Sequence, residues 1–336
     1  MLRRAGSGTV PSALQARRFS QSLERVSKPR RNSDANGVLL VNKPEGPTSF
    51  DIVAQARRIY CTRSVGHAGT LDPMATGVLV VLIGEATKLC NYLTTVSKRY
   101  RATIYFGLST DSCDRTGTAA DKVQLSSDWL SQANLEQALE KERNRTQQVP
   151  PAYSAIKVKG RRSYALARAG KSVPLEPRAV LVHELKLLGV TAQTAEVELH
   201  VSKGYYVRSF ARDLGQWLGV PSHLSQLERV SSGKFEITEC HSWPPQNDAT
   251  PALISVADAA SVALPTAILT CEGEQRARHG KRLDAAAFKS RPETTGVFAW
   301  LNADRNLVAL GHLDGETYRV LRGFRQEVQS TSTSTS

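Results

Sequence analysis

Apolar residues are patterned in two ways along this chain. Val38-Leu39-Leu40-Val41 is a short apolar run that passes through Asn42-Lys43 and stops at Pro44, the signature of a buried strand entering a turn. Pro47-Thr48-Ser49 offers a helix cap. Ile52, Val53, Ala56 and Ile59 then fall at i, i+1, i+4 and i+7, which predicts an amphipathic helix over 49–60 with Arg57 and Arg58 beside or away from its apolar stripe. Between Gly77 and Gly84 six apolar residues run without interruption, three of them valines, and this favours a strand. Arg99 to Leu108 reads as another strand.

Further along, Ser126-Ser127-Asp128 opens a predicted helix over 126–142 with Leu130, Leu135 and Leu139 at roughly helical intervals. Residues 179–190 and 194–207 read as paired strands. Val197, Leu199 and Val201 alternate with Glu196, Glu198 and His200, which implies one wet face. A helix of about ten residues follows, with Phe210, Leu214, Trp217 and Leu218 on one stripe and Gly219 and Pro221 as the stop. The stretch 242–263, rich first in Pro, Asn and Asp and then in small residues, reads as a domain junction. Beyond it, 294–301 and 307–311 read as short strands joined around Asn302-Ala303-Asp304. No repeat is evident. Strands outnumber helices and hairpin-like pairs recur, so the expected class is α+β: a mixed, largely antiparallel sheet over 37–250 and a small C-terminal β-rich domain over 255–328.

Charge adds a partner to this picture. The 336 residues carry a formal charge of +13, which points to a polyanion. Residues 1–31 hold eight basic side chains and one acid, so +7 lies there and +6 in the remainder. The extension 1–36 is Arg- and Ser-rich, acid-poor and lacks a secretory apolar core, the composition of a transit peptide. Arg17-Arg18-Phe19-Ser20 resembles a processing site, so the expected location is the mitochondrial matrix; a plastid, or the cytoplasm with a basic tail or RNA-touching arm, are the alternatives. Residues 329–336 read as a disordered Ser/Thr tail. The longest apolar run, Val78–Ile83, is six residues, far short of a membrane span. Five cysteines and seven histidines never adopt metal-ligand spacing, so no metal is expected. Gly170-Lys171-Ser172 imitates a P-loop end, but Ala165 stands where the first Gly is needed.

One loop stands apart. Gly66-His67-Ala68-Gly69-Thr70-Leu71-Asp72-Pro73-Met74-Ala75-Thr76-Gly77 holds three glycines, a proline and a single carboxylate just before a buried strand. By residue type alone, Asp72 before Pro73 is an Asx-turn residue. The wording of the loop says more: GHAGTLDPMATGVL resembles, nearly letter for letter, the catalytic loop GxLDPxATG of the TruB family of tRNA pseudouridine synthases. Lys43-Pro44-Glu45-Gly46-Pro47-Thr48-Ser49 resembles the family's KPxGxTS motif. Lys98-Arg99-Tyr100 resembles KxY, Gln148 to Lys157 resembles QxPPxYSAxK, and Lys203 to Ser209 resembles KGxYxRS. The five motifs keep their order and span residues 38–213.

The resemblance implies a cofactor-free isomerase that converts uridine 55 of the tRNA T-loop into pseudouridine by base flipping. Asp72 matches the essential carboxylate, which attacks uridine at C6 or at C1′. Arg208 matches the arginine that pairs with it; read blindly, it is a helix-end surface residue. Tyr100 matches the tyrosine that stacks on the target base and takes part in removing the C5 proton, the bland alternative being a core tyrosine. His67 matches the histidine that turns the nucleotide out of its loop, or is merely a turn residue. Tyr206 and Leu227 match pocket-lining positions and Lys43 matches the first motif, where its task is structural support or backbone contact rather than chemistry; with His67 these three make up the expected substrate- and RNA-binding set. Arg57, Arg58, Arg63, Lys98, Arg99, Arg101, Lys157, Lys159, Arg161 and Arg162 form a phosphate-contacting set, or a solvated face.

Residues 264–327 resemble the small PUA-type domain that contacts the acceptor side of tRNA, with a diverged module lacking an RNA role as the alternative. The expected partner is the tRNA T-loop stem-loop, with no membrane, and the expected state a monomer. Gly107-Leu108-Ser109-Thr110-Asp111-Ser112-Cys113-Asp114 resembles the standalone branch rather than the guide-dependent one. The competing readings are an RNA-binding chaperone that folds tRNA, and a pseudouridine synthase acting on other RNAs such as mRNA.

Overall fold

The structure is a computed structural model and describes residues 34–126, 128–154, 156–158, 161–163, 175–245 and 250–325. The basic N-terminal stretch up to residue 33, Gly170-Lys171-Ser172, Lys159 and the Ser/Thr tail lie outside the described residues, as do the side chains of Lys157, Arg161 and Arg162.

Nine strands form the main sheet: β1 (Gly37–Lys43), β2 (Val65–His67), β3 (Thr76–Ile83), β4 (Lys98–Phe106), β5 (Val182–Val190), β6 (Thr194–Val201), β7 (Ser222–Ser232), β8 (Phe235–Glu236) and β9 (His241–Ser242). Their order is β5-β6-β4-β7-β3-β1-β9, with β2 against β3 and β8 against β7. Only β7 with β3 and β1 with β9 run parallel. The sheet is thus mixed and largely antiparallel, as the pattern predicts.

Layering explains the two apolar patterns. On one face Leu39, Val41, Leu79 and Val81 pack under the helices α1 (Ser49–Ile59), α3 (Gln132–Arg143) and α4 (Val207–Leu218). On the other, Val38, Leu40, Val78, Val80 and Leu82 pack against α2 (Cys90–Thr95), α5 (Val256–Ala263) and part of the C-terminal region. Strands covered on both sides cannot alternate, and β1 and β3 do not. β6 has one covered face and alternates between buried and half-buried positions along its whole length.

A second sheet follows, β11-β10-β12-β13-β14, from β10 (Thr266–Leu269), β11 (Phe288–Ser290), β12 (Phe298–Leu301), β13 (Leu307–Asp314) and β14 (Thr317–Gly323). With the helix α6 (Cys271–Arg278) it encloses its own core, in which Trp300 is fully buried among Phe288, Phe298 and Tyr318. No helix among the described residues is long and apolar enough to cross a membrane.

Several sequence expectations shift. The helix expected at 126 starts at Gln132, because Ser131 is the residue whose hydroxyl accepts the Asn134 N–H. The strand expected to reach 207 ends at Val201; Ser202 to Tyr206 turn the chain into α4. The strand expected from 294 starts at Phe298, since Thr294 to Val297 form a bend closed by the Gly296 N–H on Thr294 Oγ1. The expected junction contains α5, capped by Ser255 and packed through Val256, Ala259 and Ala260. Most consequential is β7, an eleven-residue central strand that the pattern does not announce.

Gly77 is where β7 touches the functional loop. Its φ is +96°, and a Cβ there would lie 2.2 Å from the carbonyl oxygen of Arg229. Gly77→Ala should therefore combine left-handed strain with a backbone clash and destabilise the protein by about 3 kcal/mol or more. The change in melting temperature checks this.

Candidate active site

The loop 68–75 joins β2 to β3 and is held almost entirely by its carbonyl groups. Ser49 Oγ, at the start of α1, accepts the Leu71 N–H at 2.9 Å and donates to Leu71 O at 3.1 Å. The Gly46 N–H donates to Pro73 O at 2.9 Å, and Lys43 Nζ donates to Pro44 O and Pro73 O at 2.8 and 3.3 Å. From the other side Arg229 donates to the carbonyls of Val78, Gly69 and Thr70 at 2.7, 3.1 and 3.4 Å. α1 can serve as an anchor because Thr48 and Asp51 form a complete capping box that fixes its first turn.

Asp72 does not adopt the Asx-turn. The turn is closed by the Ala75 N–H on Asp72 O at 3.0 Å, which leaves the carboxylate to project elsewhere. It meets Arg208 in a fork, with Nε 2.8 Å from Oδ2 and Nη2 3.1 Å from Oδ1. The Asp72 side chain is 32% exposed while that of Arg208 is 7% exposed, so a buried cation presents a reachable carboxylate. The blind reading of Arg208 as a surface residue fails because α4 begins beneath the loop and turns its first residues inward.

Three further groups fix this guanidinium. Nη1 donates to Ser112 O at 3.1 Å, Nη2 to Tyr153 O at 2.9 Å, and Nε lies 3.6 Å from Asp114 Oδ2. Asp114 is buried, and its Oδ1 accepts from Ser112 Oγ, Thr116 N and Thr116 Oγ1 at 2.8, 2.9 and 2.6 Å. Glu45 and Arg115 form an ion pair that ties the loop around Asp114 to the turn after β1. Gln148 clamps the start of α4, donating to Tyr206 O and accepting the Tyr206 N–H at 3.1 and 2.8 Å.

The remaining expected residues are arranged by the sheet. Pairing places Lys43, Gly77, Arg229, Tyr100 and Leu199 in one transverse row across β1, β3, β7, β4 and β6. Leu227, two residues from Arg229, lies opposite Ala102. Tyr100 and Leu227 are both buried, in the same cluster as Leu71 and Met74 on either side of Asp72, so Tyr100 is a core tyrosine as well as a site candidate. Tyr206 is half-buried, and burial raises its hydroxyl pKa; the charges of Arg208 and Asp72 act on it as well. His67 ends β2 with a buried Nδ1 that has no hydrogen-bond partner. Burial, and then Arg229, push its imidazole below the usual range and favour the neutral form.

The expected phosphate-contacting set divides. Lys98 is buried and spends its ammonium on Thr94 O and Val96 O at 2.7 and 2.6 Å, so it is corrected to an internal residue. Arg99 faces Glu184 and Glu198 across the sheet and Arg101 faces Glu196, a solvated ion-pair face. Asp114 and Arg229 were not assigned a role by residue type. Asp114 lay within a recognised motif, whereas Arg229 sits in a polar strand and gave no signal.

Burial lowers Lys43 and Lys98 to pKa values of about 8 from 10.5. Between pH 8 and 10.5 the unfolded chain therefore holds more protons than the native one, so these lysines make stability rise with pH across that window. The effect is on the order of 3 kcal/mol per lysine. Urea unfolding at pH 7.5 and 10 should show Lys43→Met losing this gain relative to the parent.

A reachable carboxylate gripped by a buried arginine suits a nucleophile or base. Among the described residues no group of three or more His, Cys, Asp or Glu side chains is placed to hold a metal ion. Comparison with known proteins shows the family. Residues 57–207 match the TruB family pseudouridylate synthase N-terminal domain. The chain is 41% identical over 284 residues to tRNA pseudouridine synthase B of Solibacter usitatus, covering 83% of this chain and 96% of that one. It is 38% identical over 293 residues to tRNA pseudouridine synthase B of Mycobacterium tuberculosis, covering 86% and 96%. A chain of a Cbf5-Nop10-Gar1 complex shares the fold with a TM-score of 0.66 at 22% identity, covering 86% of this chain and 85% of that one. With the Asp72 loop, its arginine and this similarity along nearly the whole length of its relatives, the chain belongs to the TruB family of pseudouridylate synthases.

Proposed function

We propose that this protein is a standalone tRNA pseudouridine synthase that isomerises uridine 55 of the T-loop. The observation that carries the reading is the forked Asp72–Arg208 pair at a partly exposed position. Asp72 attacks the flipped uridine at C6 or C1′, the N1–C1′ glycosidic bond breaks, the uracil turns and its C5 bonds to C1′; the bond to Asp72 breaks to return the free carboxylate, the C5 proton is lost and N1 takes up a proton, so that product and substrate are isomers. Arg208 orients the carboxylate. Tyr100 faces the base and takes part in the C5 proton transfer, Tyr206 and Leu227 line the pocket, and His67 helps hold the nucleotide out of its loop. Lys43, expected among the RNA-binding residues, is instead given the role of supporting the loop from beneath, a reading its complete burial supports.

Relatives named tRNA pseudouridine synthase B support tRNA as the substrate. The C-terminal β-rich region acts as a PUA-type module on the acceptor side. The basic N-terminal extension directs the enzyme to the mitochondrial matrix, where it works as a monomer. Carbodiimide-stopped primer extension on unmodified tRNA tests the reading. A stop at uridine 55 with the protein, and none without it, is expected; a folded protein that binds tRNA and yields no stop there overturns the standalone reading in favour of another RNA or a chaperone role.

A further inference from the structure

We propose that Phe50 and Arg57 form a stacking seat for an RNA nucleobase adjoining the reacting uridine. This rests on the reading of the chain as an RNA-modifying enzyme. At 63% exposure, Phe50 is the most exposed large apolar side chain among the described residues. Folding gives it no task, because α1 buries Ile52, Val53 and Ala56 on another side. Its backbone is nevertheless rigid: the Thr48–Asp51 capping box encloses it, and Ser49, the preceding residue, is hydrogen-bonded in both directions to Leu71, the residue before Asp72. An exposed aromatic ring on a fixed helix end is thus mounted directly on the loop that carries the carboxylate.

Arg57 supplies an independent observation. Its guanidinium lies over the Phe50 ring, 5.7 Å from the centroid, and donates through Nη2 to Val65 O at 3.2 Å, in the strand that ends at His67. Its Nε is buried with no hydrogen-bond partner. Arg57, Arg58 and Arg63 have no carboxylate within ion-pair distance among the described residues, whereas Arg99, Arg101 and Arg115 all do. Phe50, Ala54, Arg57 and Arg58 recur at i, i+4, i+7 and i+8, so ring and cations share one stripe of α1. An aromatic face amid unneutralised arginines fits a nucleobase with its phosphate. A protein partner would need a contiguous apolar patch, but the other exposed apolar residues, such as Leu188 and Leu321, are scattered over other elements.

The test uses the full chain with unmodified tRNA. For Phe50→Ala, the Kd for tRNA is expected to rise roughly 10-fold, with kcat/KM falling by a similar factor and the melting temperature holding within about two degrees. The salt dependence of binding should keep its slope, because no phosphate contact is lost. Phe50→Trp should bind within about two-fold of the parent, and the added indole emission should be quenched by tRNA. Arg57→Gln should weaken binding and flatten the salt slope by about one. A Kd within two-fold of the parent for Phe50→Ala, or an unquenched indole in Phe50→Trp, overturns the seat while leaving the enzymatic reading intact. Binding losses and quenching as described, in a protein that forms no pseudouridine, would support the seat and overturn the enzymatic reading instead.

Discussion

Replacing Asp72 by Asn should abolish pseudouridine formation, by at least about 10⁴-fold, while leaving tRNA affinity within a few-fold of the parent. The amide keeps the shape of the carboxylate and its one oxygen can still accept from Arg208, but its NH2 group cannot, so half of the fork is lost while the loop stays held by Ser49, Gly46, Lys43 and Arg229. What is lost is the only carboxylate among the described residues that stands partly exposed on this arginine, since Asp114, the second one, is buried and already accepts three hydrogen bonds at Oδ1. Single-turnover primer extension and filter binding on the same preparation separate chemistry from RNA binding. Substantial product from Asp72→Asn would move the nucleophile elsewhere and sink the mechanism.

Arg208→Ala should have the largest combined effect. It leaves Asp114 buried without its cation, frees Asp72 from its fork, and removes the donor to the carbonyls of Ser112 and Tyr153. Removing one partner of a buried pair costs about 3 kcal/mol or more. Activity should fall by at least about 10³-fold, because the carboxylate then samples orientations that miss the ring. Arg208→Lys separates the two losses. A lysine restores a charge near Asp114 and should recover part of the stability, but it cannot span both Asp72 oxygens and the two carbonyls, so activity should remain low. Thermal unfolding and single-turnover rates of the three proteins decide the matter; parallel recovery of both by lysine would mean that charge alone, and not the fork, matters.

How much of this was legible beforehand depends on where each residue's partners lie. The strands β1 and β3 and the helix α1 were readable because their signals are local: continuous apolar runs, or a capping pair three residues apart. The same holds for Gly219, which ends α4 in the left-handed conformation at φ 75°. β7 was opaque because its character is set by residues far away. Its Ser222, His223, Arg229, Ser231 and Ser232 are buried polar side chains, and Arg229 is tolerated inside only because the carbonyls of Gly69, Thr70 and Val78 receive it. A strand so polar does not look central until that loop is folded over it.

The site shows the same division. The residues of the Asp72 loop and of the five motifs are written in the sequence, and with them the family, the carboxylate and its arginine. Sequence alone also determined that three glycines and a proline hold the loop irregular around that carboxylate. Only the tertiary structure decided that Asp72 turns away from its own backbone toward an arginine 136 residues later, that Asp114 shares this arginine, that Lys98 is an internal residue, and that Phe50 stands bare beside the loop. Each of these is settled by burial or by partners on another element, quantities that come into existence only when helices and loops are folded onto the sheet in which β1, β3, β7 and β4 lie side by side.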